Sequence, residues 1–308
     1  MMLNQFPNIP ALLDHFKEES TCIAYLAKVR WNGNPCCIHC GSAKVYVTNR
    51  GYTCADKNCT KKFTVTTGTI MESTKLSLRL WFATIYIATA HKKGISSIQL
   101  AKDLGVTQKT AWFMMHRVRQ MFMNTTPEML TGTVEIDETY VGGKAKNKHA
   151  NKKQNIKTGG SDKTPVLGMV ERGGNIKTFV IPDIAKVNLV GIIKQHVEKG
   201  TTISTDEYAP YIILKRDYNH ISVRHSRQEF VKTTKKGKAH TQTIDGYWSL
   251  LKRGIIGIYH QISPKHLHRY CNEFSYRYNT RQFVDGIRFE DAMKRVNGKR
   301  LTYAKLIS

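Results

Sequence analysis

Apolar positions along this chain change period twice. Through residues 77–119 they recur at three- and four-residue steps: Leu78, Trp81, Ile85 and Ala88 line one face of a predicted helix. Gly94 ends it. Residues 96–107 then read as a short helix, a glycine turn at Gly105 and a new N-cap at Thr107. The stretch 108–119 follows with Lys109, Thr110, Trp112, His116, Arg117 and Arg119. Two helices about a tight glycine turn, the second of them basic, match the helix-turn-helix plan. An ordinary helical hairpin is the alternative.

Beyond residue 124 the period falls to two. Residues 133–141 alternate apolar side chains with acids, as a strand does. A lysine-rich stretch, 142–163, reads as a loop, either solvated or a DNA-contacting arm. Two further strands, 164–171 and 175–181, flank Arg172-Gly173-Gly174, a hairpin turn signal. A helix over 186–198 and a fourth strand over 201–205 follow, and Asp206 comes directly after. Three strands, a helix and a strand predict a mixed α/β sheet whose fourth strand returns beside the first. Asp137 and Asp206 then become spatial neighbours despite 68 intervening residues.

Cysteine usage adds a third region. Five of the seven cysteines crowd into residues 36–59. Cys37-Ile-His-Cys40 is a two-residue knuckle and Cys54 to Cys59 a wider one, with hairpin-forming residues between them. Four thiolates on two turns predict a closed tetrahedral site for structural Zn²⁺ at Cys37, Cys40, Cys54 and Cys59. Cys36 and His39 are alternative ligands.

Charge narrows the partner. With 48 Lys and Arg against 23 Asp and Glu, the net charge is +25. Such an excess suits a polyanion, because each neutralised phosphate releases a counterion. Lys109, Thr110, Arg117 and Arg119 are the candidate DNA contacts of the second helix. Basic residues near the C-terminus (Lys265, His268, Arg269, Arg277 and Arg281) form either a further contact or a solvated face. No apolar run reaches the roughly 20 residues needed to span a bilayer. No basic-then-apolar leader opens the chain either, so a cytoplasmic location is expected.

A third acid stands in the stretch 241–254, where Ile244, Trp248 and Leu251 mark an amphipathic helix. Asp245 and Lys252 are seven residues apart, two helical turns, and share nearly one face. Carboxylates converging on Mg²⁺ are what in-line phosphodiester cleavage requires. His240 is a candidate phosphate contact or a structural histidine, and Tyr247 and Trp248 are read as packing residues.

Several stretches together resemble the ISXO2-like group of IS1595-type transposases. They include Phe63-Thr-Val-Thr-Thr-Gly-Thr69, Glu135-Ile-Asp137-Glu-Thr-Tyr-Val-Gly-Gly143 and Asp206-Glu-Tyr208. Ile244-Asp-Gly-Tyr-Trp-Ser-Leu-Leu-Lys-Arg-Gly254 and residues 259–281 complete the set. The resemblance implies an RNase H-like catalytic domain preceded by a zinc ribbon and a helix-turn-helix. It implies a DDE-type triad of Asp137, Asp206 and Asp245 on Mg²⁺ or Mn²⁺, with Lys252 and the adjacent Arg253 as DNA contacts. The implied activity is nicking of double-stranded DNA at the element's terminal inverted repeats, then attack of the freed 3′ hydroxyl on target DNA. A homo-oligomer that brings two ends together, near the bacterial nucleoid, is the implied setting. In the family pattern the third acid is usually Glu. Asp245 lacks one methylene, which withdraws its carboxylate by about 1.5 Å.

The expected layout is a helical segment (1–30), a zinc ribbon (31–72) and a helix-turn-helix region (73–125). A catalytic domain (130–285) and a C-terminal tail (286–308) follow. The rival readings are a DNA-binding relative that no longer cuts and an RNase H-like nuclease that does not rejoin.

Overall fold

A computed structural model describes residues 5–123, 128–143, 163–234 and 237–308. The chain forms two compact units, Met1–Met123 with Thr280–Ser308, and Asn124–Asn279.

In the first unit, helices α1 (Ile9–His15) and α2 (Glu19–Trp31) precede a small antiparallel sheet. Its strands are β1 (Val45–Thr48), β2 (Gly51–Cys54) and β3 (Lys62–Phe63). Helices α3 (Leu78–Ala90), α4 (Ser97–Leu104) and α5 (Gln108–Met121) follow. Gly105 closes α4 in the left-handed region at φ 65°, where a side chain would be strained. Thr107 caps α5 by accepting from the Thr110 amide. Both features match the turn read from the sequence.

Helix α3 departs from the one-face pattern. Residues from Leu78 to Thr89 are buried around nearly its whole circumference. The cause lies far along the chain, where α9 (Asp285–Lys294) packs on it. Phe6, Phe16, Phe82 and Phe289 meet there with ring centroids 4.8 to 6.0 Å apart. The buried Arg288 guanidinium donates to the carbonyls of Thr89, Thr280 and Phe283. A short helix, α10 (Tyr303–Ile307), sets the Tyr303 ring against Phe113. Residues 285–308 thus hold helices that help build this unit's core.

The second unit is built on a five-stranded sheet. Its strands are β4 (Thr133–Val141), β5 (Thr164–Glu171), β6 (Ile176–Val180), β7 (Thr202–Thr205) and β8 (Asn219–Ser222). Their spatial order is β6-β5-β4-β7-β8. The first three are antiparallel neighbours, while β7 runs parallel to β4 and β8 parallel to β7. This order and mixture of directions is the RNase H-like plan, and β7 returns beside β4 as the element order predicts. The eighth strand was not anticipated from the sequence; four residues of mixed polarity carry too little periodic signal.

Alternation along β4 and β5 divides two apolar layers. Val134 and Ile136, with Leu167 and Met169, face α6 (Lys186–His196) and the 3₁₀ turn Ala209–Arg216. Val166 and Val170 face α7 (Gln242–Gly254) and α8 (Pro264–Asn279). A small hairpin of β9 (Lys232–Thr234) and β10 (Gly237–Ala239) leads into α7. Most of the 142–163 loop lies outside the described residues.

Candidate active site and metal-binding ribbon

The ribbon brings together the four thiols expected of it. Ligand atoms of Cys37, Cys40, Cys54 and Cys59 all lie within 4.8 Å of one another. Cys37 and Cys59 sulfurs are 3.7 Å apart, and Cys40 and Cys54 sulfurs 3.6 Å. Four sulfurs at about 2.3 Å from one tetrahedral ion stand about 3.8 Å apart, so the spacing fits zinc. Backbone amides of His39 and Asp56 point at the Cys37 and Cys54 sulfurs at 3.4 Å. Such amides stabilise thiolate charge. Cys36 and the His39 ring, the alternatives, stand outside this group. Trp31, Tyr52 and Phe63 pack beside it, so the four-cysteine group and a small aromatic core adjoin in the ribbon.

On the second unit, β4 carries Asp137 toward α7, since Asp137 shares a strand face with Glu135. Pairing between β4 and β7 runs from Thr133↔Thr202 to Glu135↔Ser204. Asp137 and Asp206 each lie two residues past the last pair, Asp137 midway along β4 and Asp206 just beyond the end of β7. Asp206 accepts from the Tyr208 amide at 3.0 Å, which fixes its side chain at the turn. Asp245 sits in the first turn of α7 and accepts from the Thr241 hydroxyl at 3.3 Å.

Burial raises the Asp137 carboxyl to about 6, and the charges of Asp245 and Asp206 push in the same direction. A hydrogen bond from Trp248 opposes them. The three acids therefore lie within one electrostatic neighbourhood. Among the described residues the four cysteines alone form a donor group as tight as 4.8 Å. Half-buried Asp137 and Asp206, with exposed Asp245 adding its charge, make a donor set of the chemistry that divalent cations take.

Two features escaped the sequence reading. Glu138, one residue past Asp137 and on the other sheet face, is raised to about 7 by burial, with Asp137 and Asp206 adding to the shift. Its carboxylate accepts from the Tyr211 hydroxyl. Trp248 is more than packing, because its indole N–H donates to Asp137 Oδ2 at 2.9 Å. The alternation of β4 contains a clue to the first feature, in two successive acids on a buried strand. Nothing local identifies the second.

Among the proposed cations, Lys252 and Arg253 are exposed in the last turn of α7. Lys109 is exposed on α5 with its ammonium 5.1 Å from the Tyr303 ring centroid, and Thr110 is half-buried at the start of that helix. Arg117 and Arg119 require correction as DNA contacts, for both are buried. Arg117 lies over the Trp81 and Phe113 rings and donates to the Glu72 carbonyl at 2.6 Å. Helical spacing places them on the α5 face that packs inward. Arg269 and Arg277 are likewise buried, and Arg277 pairs with Glu273 inside the unit. His240 stands 3.1 Å from Glu135, a structural position.

A four-thiol ribbon and an RNase H-like sheet with acids on two adjacent strands, Asp137 within β4 and Asp206 just past β7, define the class, a DNA-acting transposase-type protein. A transposase zinc-ribbon domain matches residues 17–62, and an ISXO2-like transposase domain matches residues 129–279. The two matches cover well over half of the chain, which belongs to the ISXO2-like transposases. A relative is an uncharacterized protein in transposable element ISH50 of Halobacterium salinarum. It is 26% identical over 278 residues, which span 85% of this chain and 91% of the relative. Among the described residues no helix is long and apolar enough to cross a membrane.

Proposed function

We propose that this transposase nicks double-stranded DNA at its element's terminal inverted repeats and joins the freed 3′ end to target DNA. The supporting observation is the convergence of Asp206 and Asp245 on Asp137, each raising its affinity for protons. In this reading the three carboxylates hold Mg²⁺ or Mn²⁺. Bound ions of this kind activate the attacking oxygen and stabilise the leaving one during in-line displacement. Trp248 fixes the Asp137 carboxylate through Oδ2. Lys252 and Arg253 hold the DNA backbone along the exposed face of α7. Helix α5 presents Lys109 and Thr110 to the terminal repeat, and the ribbon supports end binding. Two ends must be brought together, so the working form is a homo-oligomer acting on DNA in the bacterial cytoplasm.

A second reading is favoured by one residue. Asp245 is exposed and one methylene shorter than the Glu usual in the family pattern, as a binding protein with impaired cleavage would allow. Incubating purified protein with Mg²⁺ and a labelled element end separates the two. The catalytic reading expects a nicked strand that Asp137→Ala abolishes while end binding persists. Equal background from wild type and variant would refute it, and a large gain in Asp245→Glu would mark this chain as impaired.

A further inference from the structure

Helix α7 begins without a cap of its own. The side chain of its N-cap residue, Thr241, accepts from no first-turn amide, its hydroxyl donating instead to the Asp245 carboxylate. Helix starts leave amide donors that a capping oxygen normally satisfies at the second and third positions. Here those amides belong to Thr243 and Ile244, and both donate to Glu135 Oε2, at 2.8 and 3.1 Å. The Thr243 hydroxyl donates to Glu135 Oε1 at 2.8 Å. Glu135 belongs to β4, more than a hundred residues earlier, and is completely buried.

The same carboxylate is held from its other side. Arg172, in the turn after β5, donates Nε to Glu135 Oε1 at 2.6 Å. Its remaining nitrogens donate to the carbonyls of Lys238 and His240, at 2.5 and 3.1 Å. The His240 ring lies 3.1 Å from Glu135. The segment entering α7 is thus fastened to β4 by one ion pair and a set of charged hydrogen bonds. A buried carboxylate against a helix N-terminus is also favoured by the helix dipole.

We propose that Glu135 is a positioning residue that sets the height of Asp245 above Asp137. Glu135 and Asp137 are two positions apart on one strand face, and Thr243 and Asp245 are two positions apart on the helix. A second anchor, Trp248 to Asp137, lies one turn further along α7. Asp245 stands between the two anchors, so its distance from the Asp137 and Asp206 pair is fixed by strand and helix together. A short acid at position 245 makes that distance more demanding. The role rests on the proposed metal-binding reading of Asp245, whereas the clamp itself does not.

Hydrogen exchange by mass spectrometry on full-length Glu135→Gln tests the clamp directly. A Gln carbonyl can accept from both amides only by turning its NH2 toward the Arg172 Nε–H and the Thr243 hydroxyl, two donors that then lose their acceptor, and the charge is lost as well. Exchange in the first turn of α7 is therefore expected to quicken at least about tenfold, one 1.4 kcal/mol step. Exchange in β5 and α8 stays as in wild type. Uniform acceleration across the unit marks Glu135 as merely structural, and unchanged α7 exchange removes the clamp; either result overturns the proposal. Thr243→Val, which deletes one donor and buries no charge, should show the same local effect at smaller size. In Mn²⁺ titrations followed by protein melting, the positioning role expects Glu135→Gln to need several-fold more ion for half its effect. An unchanged midpoint, with wild type responding, overturns the positioning role. If wild type itself shows no response, it is the metal-binding reading that fails, and Asp245 then has no ion for Glu135 to position it against.

Discussion

Trp248 and Asp137 are joined across 111 residues of sequence by an indole N–H that donates to a carboxylate oxygen at 2.9 Å. The indole reaches this position because residue 168, opposite Asp137 on β5, is glycine. A Cβ at Gly168 would stand 2.6 Å from the Trp248 ring and 3.0 Å from Ile244. A strand position without a side chain thus lets a helix side chain come close to the sheet and reach the acid.

Gly168→Ala should accordingly cost about 1–3 kcal/mol of stability through overpacking. The cost would appear as a lower melting temperature. Trp248→Phe keeps the ring but removes the donor, so Asp137 loses a bond to its charged form. Its carboxyl should then rise above about 6, and the acidic limb of the nicking rate should move to higher pH. A rate profile identical to wild type would show that the indole bond does not tune this acid.

Protons and metal compete for the same acids. Burial, with neighbouring charge, raises Asp137 to about 6 and Glu138 to about 7. Unfolded chains release these protons near pH 4. Between about pH 4 and 7 the folded protein therefore binds more protons, and these groups' contribution to metal-free stability falls as pH rises through that window. A divalent ion binds the ionised forms, so melting shifts caused by Mg²⁺ should grow from about pH 5.5 to about pH 7.5. Equal shifts at both ends would contradict this linkage.

The ribbon makes a separate prediction. Freshly reduced protein should carry about one zinc per chain, and Cys37→Ser should lose it together with end-specific DNA binding. Elemental analysis and gel-shift titration read both effects. A protein free of zinc that still binds ends normally would remove the metal from the account.

Strong local periodicity made much of this molecule legible in advance. The strand alternation of 133–141, the hairpin glycines and the helix cap at Thr107 each follow from a few neighbouring residues. Two knuckles of cysteines identified the four thiols, because spacing alone constrains a tetrahedral site. The pairing of Asp137 with Asp206 emerged from element order, which brings β7 beside β4. What stayed hidden depends on distant packing. Arg117 and Arg119 look like free cations until α5 is seen to bury that face. Residues 286–308 look like a tail until Phe289 enters the aromatic cluster under α3. Glu135 looks like a solvent-side acid of the alternation until α7 is seen to start on it.

The central claim is that acids from β4, β7 and α7 share divalent ions. Crystals grown or soaked with Mn²⁺ test it through anomalous scattering, which locates the ion without reference to activity. The account predicts a peak bridging the Asp137 and Asp206 carboxylates at about 2.0–2.2 Å, with Asp245 on the same cluster directly or through water. Crystals that bind Mn²⁺ elsewhere, and leave these two side chains without a shared ion at saturating metal, would contradict it.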